Sequence, residues 1–105
     1  MTEPVAYKIL TAAQWRQFQA EGVFAGAPVD LADGYIHMSS AEQVAETAAK
    51  HFAGQTGLIL ATVDLAALGD AVVWEPSRGG QLFPHCYGAL PISAVTGAVA
   101  MDGAE

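Results

Sequence analysis

The chain has 105 residues, is 52% hydrophobic and only 14% charged, and carries a net charge of −7. That size and apolar content predict one folded domain, with a core over about residues 5–101, and exclude a disordered chain. No apolar run reaches the ~20 residues of a membrane-spanning helix. The opening MTEPVAYKIL lacks a secretion signal's basic-then-apolar layout, and the single Cys86 excludes an internal disulfide, so the expected location is the cytoplasm.

Taken in chain order, Val5–Leu10 (VAYKIL) predicts the first strand. Thr11 and Gln14 then form a T-x-x-Q capping box. Trp15 and Phe18 share the face of the helix that follows, and Gly22 stops it. Next comes DGYIHMSS, Asp33 to Ser40. If this stretch is extended, Ile36 and Met38 face the core, while Tyr35, His37 and Ser39 face a cleft or solvent. Ser40 and Gln43 repeat the capping box, and Val44, Ala48 and Phe52 follow at helical spacing, with Gly54 as the stop. His51, near the end of this second helix, suits its negative dipole end. GLILATVD, Gly57 to Asp64, is nearly continuous in apolar residues, which predicts a central strand covered on both faces. Ala71–Glu75 (AVVWE) and Val95–Met101 (VTGAVAM) are further strands. GYIHM and LFPHCYG are short ones, and EPSRGGQ is an exposed turn. The order predicts an α+β fold with mixed or antiparallel sheets and two principal helices.

Two polar clusters stand out. In the first, His37, the Ser39 hydroxyl and the unpaired N–H groups at a helix start make an anchor for a sugar hydroxyl or a phosphate. The simpler alternative is that Ser40 only caps a helix and His37 makes one structural hydrogen bond. In the second, alternation puts Phe83, His85 and Tyr87 on one side and Pro84, Cys86 and Gly88 on the other. Glu75 ends a strand just before the loop that carries Arg78. Aromatic rings with a carboxylate, an arginine and a histidine suit a small polar ligand with a flat ring. The alternative makes Trp74 and Phe83 core residues and pairs Glu75 with Arg78, an exposed contact contributing only ~0–1 kcal/mol. His37, His85, Cys86 and Glu75 lack metal-ligand spacing, so no metal is expected. Cys86 and His85 point to opposite faces, which argues against a Cys–His nucleophile. The permanent cations, Lys8, Arg16, Lys50 and Arg78, are scattered, which excludes a long nucleic-acid partner but not a ligand with one or two phosphates.

YKIL, DGYIHMSS, VVWEPS and above all LFPHCYGALP resemble Domain of Unknown Function family 952, over roughly Tyr7 to Val95. HMSS departs from that family's more usual HLST but retains the hydroxyl. The resemblance implies a bacterial protein with a compact ADP-ribosylation-like fold, which binds NAD in a cleft between two small sheets. The run from YIHMSS through AAKHF to LILATVD is distantly similar to RNA 2′-phosphotransferases. That similarity implies His37 and Ser39 in the NAD cleft and Ser40 at the start of its flanking helix. The arginines those enzymes use are missing, since only Arg16 and Arg78 are present, and the familiar ADP-ribosyltransferase triads are not legible.

Three functions follow. As a transferase or glycohydrolase-like enzyme on an NAD-type substrate, the chain would use His37, Glu75 and His85 catalytically. His37 would bond a ribose hydroxyl, Glu75 would steady a developing oxocarbenium charge and His85 would transfer a proton. Tyr35, Ser39, Ser40, Trp74, Arg78, Phe83 and Tyr87 would bind the ligand, with Ser39 on a phosphate and Trp74 or Tyr87 stacked on a ring. The second function is a non-catalytic module for a nucleotide, a sugar phosphate or a protein. The third is an interaction subunit. The expected state is a monomer.

Overall fold

Alternation along the first strand turns Ala6, Lys8 and Leu10 to the same side, and all three are buried. An ammonium group in an apolar layer must find an anion, and much of the architecture is arranged around that need. The computed structural model describes residues 4–76 and 80–101. The elements run β1 (Val5–Thr11), α1 (Ala12–Glu21), β2 (Val23–Phe24), α2 (Pro28–Asp33), β3 (Ile36–His37), α3 (Val44–His51), β4 (Leu58–Asp64), β5 (Val72–Pro76), β6 (Leu82–Cys86), β7 (Leu90–Pro91) and β8 (Val95–Met101). They form three sheets in the orders β1-β4-β8, β2-β7 and β3-β6-β5, with every strand pairing antiparallel. The fold is therefore α+β with antiparallel sheets.

β4 is central in its sheet, as its apolar run predicts. One face joins the main core, where Ala61 and Val63 meet Ala6, Leu10, Phe18, Phe24, Ile36 and Met38. The other face carries Leu58 and Leu60 into a smaller cluster with Ile9, Val44, Ala48 and Phe52, so α3 covers the back of the sheet. The first helix forms as predicted. The Gln14 N–H donates to Thr11 Oγ1 at 3.1 Å, the Thr11 N–H donates to Gln14 Oε1 at 2.9 Å, and Gly22 ends the helix at φ 78°. Among the described residues no helix is long and apolar enough to cross a membrane.

Two expectations need correction. The helix expected to start at Ser40 starts at Val44, with Gln43 as its N-cap. The Gln43 side chain accepts from the Ser40 N–H at 3.0 Å and donates to the Leu82 carbonyl at 2.8 Å, which ties a turn to β6 before the helix begins. The Ser39 N–H donates to the Tyr7 carbonyl at 2.9 Å. The amides expected to cradle a phosphate around Ser39 and Ser40 are thus already bonded. The second correction is α2, a third helix that the apolar periodicity does not signal. Pro28 opens it, and Gly34 closes it at φ 89°, a left-handed conformation that favours glycine.

Candidate functional site

α2 exists to place Asp30. Its carboxylate is buried and accepts from the Ala27 N–H at 2.8 Å, as the third residue of a helix does towards its cap. The same carboxylate accepts from Lys8 Nζ on both oxygens, at 3.1 and 3.3 Å, and Lys8 also donates to the His37 carbonyl at 2.9 Å. The His37 N–H donates to Asp30 Oδ1 at 3.0 Å, and His37 Nδ1 donates to that oxygen at 2.6 Å. Burial pushes the Asp30 carboxyl up, but the Lys8 charge and the bonds from His37 and Ala27 outweigh it and hold the group below its usual value. Burial depresses the Lys8 ammonium, against the pull of Asp30. Asp33, one turn along α2, takes His37 Nε2 at 2.9 Å. With a carboxylate at each ring nitrogen, both contacts are hydrogen bonds only when the ring carries both protons.

His37 and His85 stand directly opposite on β3 and β6, so their side chains share a face, with ring centroids 5.6 Å apart. His85 is buried, and its Nδ1 donates to Glu75 Oε1 at 2.8 Å. The Tyr87 hydroxyl donates to the same oxygen at 2.7 Å, and Tyr35 stacks on the His85 ring at 4.1 Å. The Tyr87 bond, then the His85 bond, hold the Glu75 carboxyl below its usual value. The Glu75 bond in turn pushes the Tyr87 phenol up. Both histidines line a cleft of about 580 Å³ between β1, α3 and the β3–β6 pair, and His51 lines it from α3. Each of the chain's three histidines therefore reaches one cleft.

Residues 9–98 match the family described as protein of unknown function (DUF952). The chain belongs to that family. A crystal structure of protein CC0527 from Caulobacter crescentus is similar, with TM-score 0.90 at 50% identity, covering 93% of this chain and 86% of that one. The solution NMR structure of CC0527 gives TM-score 0.84 at 49% identity, covering 95% of this chain and 86% of that one. No curated protein matches the chain.

In this DUF952 chain the expected site residues separate into groups. His37, Ser39, Phe83 and His85 line the cleft. Ser39 is buried, and its hydroxyl shares a 3.0 Å hydrogen bond with Thr47. Glu75, Tyr35 and Tyr87 do not line it; they brace His85. Ser40 is buried in the turn before α3 and serves structure through its backbone. Trp74 pairs with Pro84, one residue out of phase with Glu75 and His85, so strand alternation puts it on the opposite face and away from a ligand beside the histidines. Arg78 lies outside the described residues. Sequence reasoning missed Asp30, Lys8, Asp33 and His51. The legible signals were a lysine at an inward phase of an apolar strand and a Pro-x-Asp followed by glycine, which marks a short capped helix carrying a carboxylate.

Proposed function

We propose that this DUF952 chain is a small-ligand protein. In this reading its cleft takes a nucleotide of the NAD or ADP-ribose class, with His37 holding the ligand and His85 transferring the proton. The observation that carries the proposal is the juxtaposition of His37 and His85, each with Nδ1 on a carboxylate and both on one cleft wall. A carboxylate on Nδ1 fixes the ring's orientation and leaves Nε2 as the working nitrogen. His85 is the proton carrier, and Glu75 acts through it as a positioning residue. His37 bonds a ribose hydroxyl in place of the exposed Asp33. The cleft between small antiparallel sheets supports the ADP-ribosylation-like fold that the resemblance implies. Asp33 on the cleft wall suits the positive ring of a nicotinamide. A cytoplasmic setting without long nucleic-acid partners belongs to the same proposal, supported by the net charge of −7.

A second reading, binding without chemistry, is favoured by one observation: both His37 ring nitrogens are already engaged by Asp30 and Asp33. An NMR titration with NAD and with ADP-ribose, following amide and histidine-ring signals, tests both. Saturable shifts confined to residues 37–39 and 83–85 are expected, with nicotinamide release that is lost in His85→Ala. Saturable shifts without turnover select the binding module. No shift at millimolar ligand overturns the nucleotide class.

A further inference from the structure

We propose that Asp33 sets the charge class of what the cleft takes: a cationic ring beside the histidines, and no phosphate there. The inference rests on the ligand reading above and narrows it. Among the described residues that line the cleft, Lys8 is the one permanent cation and Asp33 the one carboxylate. The Lys8 ammonium is buried and spent on Asp30, at 3.1 and 3.3 Å. The Asp33 side chain is 46% exposed and accepts from His37 Nε2 at 2.9 Å. Lys8 thus cancels Asp30, and a doubly protonated His37 cancels Asp33. A neutral His37 ring leaves this wall negative, so its sum is never positive. His85 brings its own carboxylate, Glu75, on Nδ1, and His51 belongs to the α3 side of the cleft. The backbone offers an anion nothing either. The N–H groups of His37, Met38 and Ser39 donate to Asp30, to the Pro84 carbonyl and to the Tyr7 carbonyl. α2 ends at Asp33, which adds the partial negative charge of its last carbonyls.

Ligand binding sharpens the demand. A ribose hydroxyl that takes His37 Nε2 displaces Asp33 from it. The ring keeps Asp30 on Nδ1 at 2.6 Å, so the charge left without a partner is that of Asp33. A bare carboxylate beside a bound ligand is costly unless a cation meets it. In an N-glycoside of a pyridinium ring the charged nitrogen is bonded to C1′, one carbon from the 2′-hydroxyl. One ligand therefore supplies the hydroxyl for His37 and the cation for Asp33 together. Oxidised NAD meets this requirement. NADH and ADP-ribose, which lack the cationic ring, do not. The pyrophosphate then lies away from the histidine wall.

The full chain is titrated with oxidised NAD and with NADH, which share the pyrophosphate and differ in ring charge, and the ring signals of His37 and His85 are followed. Oxidised NAD is expected to bind about tenfold tighter, near the lower end for opposite unit charges roughly 4 Å apart at a protein surface. Asp33→Asn keeps an oxygen for His37 Nε2 and removes the charge, at an exposed position, so the two affinities come within about twofold. Equal affinities in the wild type, or a preference that survives Asp33→Asn, overturn the inference and leave the nucleotide reading standing. If neither nucleotide binds, that reading falls, and two small nitroxides, one cationic and one anionic, test the charge of the wall alone. The cation then relaxes the amides of His37, Ser39, Phe83 and His85 in excess of its effect on the rest of the surface, and Asp33→Asn abolishes the excess. No excess in the wild type, or one unchanged in Asp33→Asn, overturns the inference.

Discussion

Replacing Asp30 with asparagine probes the centre of the site and of the fold together. The carboxylate accepts five hydrogen bonds: two from Lys8, two from His37 and one from Ala27. Asparagine retains one acceptor oxygen and turns an NH₂ group towards donors. It also leaves the Lys8 ammonium buried without a counter-charge, with only neutral carbonyl oxygens to accept from it. Removing one partner of a buried ion pair costs ~3–5 kcal/mol, against a total stability of ~5–15 kcal/mol for a domain. At ~4–8 °C per kcal/mol, the thermal midpoint falls by at least ~12 °C. Lys8→Met is milder, ~1–3 kcal/mol, because Asp30 keeps three N–H donors. The double variant is less destabilised than the sum of the singles. Urea unfolding at neutral pH, followed by the fluorescence of Trp15 and Trp74, measures all three. An Asp30→Asn cost below about 1 kcal/mol, or a larger cost for Lys8→Met, would refute the hub.

Three further outcomes are expected. Asp30 and Glu75 both titrate below their usual values of 3.8 and 4.5, so the stability they contribute is present above those values and lost as pH falls through the lower folded-state ones. Acid unfolding curves check this, and Asp30→Asn flattens the dependence. Tyr87→Phe removes the strongest influence holding Glu75 down. Carboxyl-carbon NMR then shows the Glu75 titration moving up, with the thermal midpoint nearly unchanged because both groups are partly exposed; an unmoved titration discards the Tyr87 contact. Burial raises the Cys86 thiol, so a disulfide reagent modifies it only as fast as the protein unfolds. Rapid labelling of the native state contradicts its burial.

Much of the fold was legible because its signals are local. The capping box at Thr11, the stop at Gly22 and the apolar run of β4 each act within a few residues, and the structure honours them. Alternation also placed Ile36 and Met38 in the core and put Phe83 with His85 on the other face. The Ser40 box misled because the side chain of Gln43 bonds Leu82, a contact across 39 residues that no local pattern records. Half of the site was hidden for the same reason. Asp30 matters through Lys8, 22 residues away, and through His37, and each partner taken alone looks ordinary. Treating Lys8 as one cation among four overlooked its inward phase on an apolar strand. Trp74 was attractive as a ring for stacking, and only the strand register turns it to the other face.

The Lys8–Asp30–His37 network also bears on the order in which the chain folds. Its members come from β1, α2 and β3, separated by up to 29 residues, and the buried Lys8 and Asp30 cannot desolvate without each other. A collapsed chain with β1 docked and α2 unformed would trap a bare ammonium in an apolar layer. Such a state is expelled by its own solvation energy. The network thus acts as a proofreading step for assembly, admitting β1 to the interior only when the helix that carries its counter-ion has arrived. The same step completes the wall on which the two histidines meet.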